Sequence, residues 1–183
     1  MRTYLRVVRV TILLAASIFV APITAVGQEV TLRLHHFVPA GTTTHKAFLQ
    51  PWADRIAAAS GGRLKAEVYP SMTLGGTPQQ LVDQVKDGVV DIVWTLPAYT
   101  PGRFPKTEAF ELPTVISDPI ATNLALQDFY DMHLQDEYKD YKVLLLHVHM
   151  GQVFHMREGK EIRSLDDLRG KTLRAPGATG TLF

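Results

Sequence analysis

Cysteine is missing from all 183 residues, so no disulfide staples the fold and no thiol carries a lipid or a redox role. Long apolar runs are missing as well. The run from Val10 to Val20 is well short of the roughly 20 residues that a membrane-spanning helix needs. Basic excess is absent: Lys and Arg total 19 against 18 Asp and Glu. Residues 1–27 hold three arginines and no acid, so without them the net charge of +1 becomes −2. Such a chain is a poor partner for nucleic acid or an anionic membrane surface. The short catalytic signatures are lacking too. There is no G-x-S-x-G elbow, no phosphate loop, no G-x-G-x-x-G turn and no H-E-x-x-H helix.

What is present begins with a targeting pattern. Arg2, Arg6 and Arg9 precede the apolar run, Pro22 breaks it, and Ala25-Val26-Gly27 offers small residues for cleavage before Gln28. Residues 1–27 are therefore expected to be a removable signal peptide that delivers a periplasmic protein. The remaining chain, with 46% hydrophobic and 20% charged residues overall, has the composition of an ordinary globular domain. The end, Ala178 to Phe183, reads as a Gly/Thr-rich loop leading into a further element, which predicts a longer parent chain.

Val30 to Phe37 alternates apolar and polar residues and predicts a first strand. Phe48, Trp52, Ile56 and Ala59 predict a helical stripe, with Pro51 forcing a kink or a late start and Gly61-Gly62 ending it. Leu64 to Tyr69 predicts a second strand. Thr77-Pro78-Gln79-Gln80 is a capping-box start for a helix facing inward through Leu81, Val82 and Val85. Val89 to Trp94, more continuously apolar, predicts a third and central strand. This order predicts an α/β fold with parallel crossovers. Pro97 to Pro113 holds four prolines and predicts irregular chain. Asp118 starts a helix with Ala121, Ala125, Phe129 and Met132 on one face. Val143 to Leu146 and Gln152 to Arg157 read as further strands, Ser164 to Leu168 as a capped short helix, and Met150 as a lobe boundary.

For chemistry, the seven histidines lack metal-ligand spacing, and packed or hydrogen-bonded histidines account for them better. Gly75-Gly76-Thr77 fits a turn plus helix cap better than an anion cradle. Asp166-Asp167 complement a helix dipole and need no catalytic role. Phe37, Trp94 and Tyr99 fall at or just past strand ends, where open α/β sheets form ligand crevices; core packing is the competing reading for Trp94. Gly170 to Gly177 reads as a short strand that delivers Arg174 to a Pro/Gly turn. A guanidinium there suits a carboxylate clamp, and a surface ion pair is the plainer alternative.

Taken in order, His35-His36-Phe37, Gly61-Gly62-Arg63-Leu64, Glu67-Val68-Tyr69-Pro70, Leu74-Gly75-Gly76, Gly88 with Asp91, Gly102-Arg103-Phe104-Pro105, Glu111-Leu112-Pro113, and Ser164 to Lys171 with Leu173-Arg174-Ala175-Pro176 resemble the solute-binding proteins of TRAP transporters, the DctP-like family. The resemblance implies a type II periplasmic-binding-protein fold. Residues 28–150 would form lobe I and 151–183 the start of lobe II. It implies a monomer that closes over a small organic acid and hands it to sodium-coupled membrane subunits, with no cofactor, no metal and no catalysis. Arg174 matches the family's carboxylate-binding arginine. Gln152 stands where some members carry a second arginine, and Gly177 where they carry asparagine, which leaves the acid open. The candidate ligand contacts are thus Arg174, Gln152, Tyr99, Phe37, His36 and Trp94. Service to an ABC importer or a sensor receptor, or a periplasmic enzyme, are the alternatives.

Overall fold

The computed structural model describes residues 29–112, 115, 116, 118–150 and 153–174. The signal-peptide expectation, Gln152 and Ala175 to Phe183 lie outside them. Strand β1 (Val30–His36) runs through the middle of a parallel sheet. β2 (Leu64–Tyr69) pairs along one side, from Val30 opposite Leu64 to His35 opposite Tyr69. β3 (Ile92–Trp94) pairs along the other, from Leu34 opposite Ile92 to His36 opposite Trp94. Parallel neighbours require crossovers, and helices α1 (Gln50–Ala59) and α2 (Leu81–Lys86) supply them.

Pro51 occupies the first turn of α1, where its missing N–H has no intrahelical partner to lose. The helix starts late, and Thr44–Leu49 ahead of it is wound as a π-helix. The deepest burial falls on Leu49 and Ala53, with Trp52 and Ile56 only half-buried; the expected stripe is rotated by one residue. α1 ends as its two glycines require. Gly61 and Gly62 take φ of +61° and +80°, and their N–H groups donate to Ala58 and Ala57 carbonyls at 3.1 and 2.8 Å.

The third strand corrects the sequence expectation twice. It lies at a sheet edge among the described residues, and it begins only at Ile92. Val89 and Val90 spend their N–H groups on the Gln84 carbonyl at 2.9 and 3.3 Å, closing α2 instead of extending a ladder. Asp91 then accepts the Arg33 N–H through its carboxylate at 2.7 Å, a position a strand carbonyl would otherwise fill. β1 is the central strand because its neighbours flank it on both sides, and Leu34, His35 and His36 are accordingly fully buried.

Beyond the sheet, Pro97 to Leu112 is a set of 3-10 turns, Pro97–Tyr99 and Thr107–Glu111. α3 (Pro119–Phe129) follows, capped by Asp118, whose Oδ1 accepts from Ile120 and Ala121 N–H at 2.7 and 3.0 Å. Its buried face and that of the π-helix Tyr130–Leu134 after it match the expectation only at Phe129, which packs on the core; Ala121, Ala125 and Met132 are exposed, while Leu126 and Leu134 are buried. They join Val82, Phe104 and Tyr138 in one core cluster. Phe104 and Tyr138 stack at 4.6 Å between centroids. The Tyr138 hydroxyl donates to Thr107 Oγ1 at 3.1 Å, and burial pushes its pKa up to about 12.

Val143 to Leu146 was expected as a strand, and it is not one. Val143, Leu146 and Val148 pack on the core cluster, so the apolar run is drawn inward. No adjoining strand among the described residues lends it a ladder. Instead Asn123 of α3 accepts the Val148 N–H at 2.8 Å and donates to its carbonyl at 3.0 Å, satisfying that backbone as a strand neighbour would. Val153 to Arg157 likewise forms no ladder, and Val153 is 70% exposed. Ser164 to Leu168 forms the expected capped turn, with Asp167 accepting the Ser164 N–H at 2.8 Å.

Candidate functional site

The carboxyl ends of β1 and β3 bring three of the sequence candidates together. Phe37 leaves β1 and stacks on Trp94, the last residue of β3, at 5.2 Å and 17°. Tyr99 meets Phe37 edge-on at 5.2 Å and 78°. All three rings are half-buried, which leaves ring surface available at the strand ends. His36 pairs with Trp94 across the ladder, and alternation turns adjacent side chains to opposite faces.

His36 is 0% exposed. Its Nε2 lies 3.0 Å from His45 Nδ1, so one imidazole donates and the other accepts. A doubly protonated pair has no acceptor. Burial first, then His45 and His35, hold the His36 pKa down at about 4, with the Val38 backbone opposing. His36 therefore stands neutral behind the ring cluster. His35, on the other face, is structural. Its Nε2 accepts the Leu74 N–H at 3.3 Å, so Nδ1 carries the proton and donates to Gln84 Oε1 at 2.8 Å. Gln84 in turn donates to the Gly75 carbonyl at 3.0 Å. The Leu74-Gly75-Gly76 turn is pinned by side chains. Just before it, Ser71 and Met72 adopt left-handed backbone with φ of 54° and 58°, and Met72 N–H donates to the His36 carbonyl at 3.1 Å.

Sequence reasoning missed His147 as a partner of the cluster. The Trp94 indole N–H donates to His147 Nε2 at 3.0 Å, and the two rings lie edge to edge in nearly one plane, 6.0 Å apart and 15° from parallel. Phe48 meets the same imidazole edge-on at 6.0 Å. Although His147 keeps an exposed side, burial of the packed part, reinforced by His149, holds its pKa below the ordinary value. The accepted bond places the proton on Nδ1. A recess of about 400 Å³ opens beside it, lined by Thr43, Thr44, Ala47, Phe48, Leu145 and His147. No sequence signal pointed to His147, because its approach to Trp94 spans 53 positions and depends on how Asn123 holds Val148.

Arg174 is exposed, in chain without strand pairing. The strand expected from Gly170 to Gly177 is thus not formed over Lys171 to Arg174. No hydrogen bond or ion pair occupies the Arg174 guanidinium among the described residues. Those residues also contain no group of three or more His, Cys, Asp or Glu positioned for a metal ion. None of their helices is long and apolar enough to cross a membrane.

The family model for bacterial extracellular solute-binding protein, family 7 (DctP), matches residues 34–183. The chain belongs to this family. Solved structures of TRAP solute-binding proteins share its α/β fold. A marine metagenome protein described as specific for aromatic acid ligands, in complex with 3-hydroxybenzoate, is 52% identical. The match covers 64% of this chain and 37% of that one, with a TM-score of 0.63. A Rhodoferax ferrireducens TRAP solute-binding protein with copurified benzoate is 45% identical. Here the match covers 77% of this chain and 44% of that one, with a TM-score of 0.73. A curated relative, the outer membrane transporter protein TsaT of Comamonas testosteroni, is 28% identical over 92% of this chain. The chain spans 50% of that relative's length.

Proposed function

We propose that this family 7 chain is the first part of a periplasmic receptor that captures a small aromatic carboxylate and delivers it to the sodium-coupled membrane subunits of a TRAP transporter. The observation that carries the reading is the half-buried stack of Phe37, Trp94 and Tyr99 at the carboxyl ends of β1 and β3. Ring faces gathered at that end of a parallel sheet suit an aromatic solute, and the benzoate and 3-hydroxybenzoate carried by two relatives support the same class. Residues 1–27 serve as the signal peptide, 28–150 form lobe I, and 151–183 begin lobe II.

Arg174 clamps the carboxylate, with Gln152 as its neighbour. An arginine in a wet cleft stays solvated until the ligand arrives, which avoids the cost of a buried unpaired charge. As the lobes close over the solute, water leaves and the ion pair strengthens. His36, buried beside Trp94 in the ladder, stays neutral and adds no charge near the ring cluster. The receptor acts as a monomer and catalyses nothing, because its task ends with release.

Isothermal titration of the full-length protein with benzoate tests this. Binding is expected in the wild type and its loss in Arg174→Ala, with unchanged far-UV circular dichroism. Retained affinity in that variant rejects the clamp.

A further inference from the structure

The recess beside His147 takes no part in the Arg174 clamp. It has a volume of about 400 Å³ and opens to solvent, with Thr43, Ala47, Leu145 and His147 exposed along it. Phe48, Ala47 and Leu145 give it apolar walls, and His147 links it to the ring stack through Trp94. Thr43 and Thr44 add two hydroxyls at the start of the π-helix. No hydrogen bond occupies either hydroxyl among the described residues. The wall therefore offers aromatic packing and two donors in one small space, and it offers no cation for a carboxylate.

We propose that this recess is a subsite for the substituted edge of the aromatic ring, where Thr43 and Thr44 hydrogen-bond a ring hydroxyl while His147 and Phe48 hold the ring. The inference rests on the aromatic-carboxylate reading and extends it to a specificity-determining pair of threonines. The charged end of the ligand stays at Arg174. His147 suits the ring because the Trp94 N–H fixes its tautomer and orientation. Its lowered pKa keeps it uncharged at neutral pH, so it does not compete with Arg174 for the carboxylate.

The test compares benzoate and 3-hydroxybenzoate by titration calorimetry on the full-length protein. The proteins are the wild type, Thr43→Val/Thr44→Val, Ala47→Leu and Arg174→Ala. The wild type is expected to prefer 3-hydroxybenzoate by about tenfold, as one added hydrogen bond gives. The double threonine variant should bind benzoate as the wild type does and lose that preference. Ala47→Leu narrows the recess and should weaken 3-hydroxybenzoate more than benzoate. Both threonines lie near the surface, and unchanged benzoate binding reports that the variants are folded. An unchanged preference in the threonine variant overturns the subsite alone, provided Arg174→Ala still abolishes binding of both acids. Wild-type binding of aliphatic carboxylates but of neither benzoate overturns both the subsite and the aromatic reading. Undiminished binding in Arg174→Ala instead rejects the clamp and leaves the threonine comparison as the judge of the subsite.

Discussion

Acidification should destabilise this protein through one buried imidazole. His36 is fully buried, and its folded pKa is held at about 4 against an ordinary 6.5. The unfolded chain therefore binds a proton that the folded chain refuses. Stability is complete above pH 6.5 and falls as the pH drops toward 4, because the unfolded state gains protons throughout that window. Between pH 7.5 and 4.5 the linkage relation gives a loss of about 2.5 kcal/mol from this residue. Carboxylates titrate nearby, so the comparison must isolate His36. Urea unfolding of the wild type and of His36→Phe at both pH values does so. The variant loses the bond to His45 at every pH, but it should show a smaller fall between the two pH values, by about 2.5 kcal/mol. Equal falls in the two proteins would show that His36 is not held neutral by its surroundings, and the electrostatic account of the site would be refuted.

Two further outcomes test the local architecture. Gly76→Ala should cost about 2–3 kcal/mol, since left-handed backbone is penalised by ~1–2 kcal/mol and the new Cβ meets Gln84 Nε2 at 2.6 Å, disturbing the amide that pins His35. Gly75→Ala is the control: it shares the left-handed backbone at φ +89°, meets nothing within 4 Å, and should lose less in urea midpoint. Asp118→Ala removes the acceptor of two N–H groups at the start of α3 and should lower stability by about 1 kcal/mol, read by thermal melting.

The sheet was legible in the sequence because its instructions are local. Alternation in Val30 to Phe37, glycines after α1 and the Thr77-Pro78 start each act within a few residues, and each element formed. Strand 143–146 was misread for the opposite reason. Four apolar residues announce burial but not a ladder, and here the adjoining Val148 backbone bonds to the Asn123 side chain. The face of α3 was misassigned because alanines fit either side, and Leu126 and Leu134 follow the position of Phe104 and Tyr138 instead. For the site, aromatic residues at strand ends were readable from topology. His147 was not, since a contact 53 residues distant leaves no spacing signature. Arg174 was singled out from an expected strand and turn and then from motif resemblance, and the expected strand does not form over Lys171 to Arg174.

Asn123 turns a packing detail into a mechanical linkage. One carboxamide grips both polar groups of Val148, and the adjacent residue is the imidazole on which Trp94 rests. The position of that imidazole is therefore registered to a helix as well as to the sheet. Any sliding of α3 along its axis would be transmitted through a single amide to the ring stack, so tuning of the pocket can arise from substitutions on the outer surface of α3 that touch no solute.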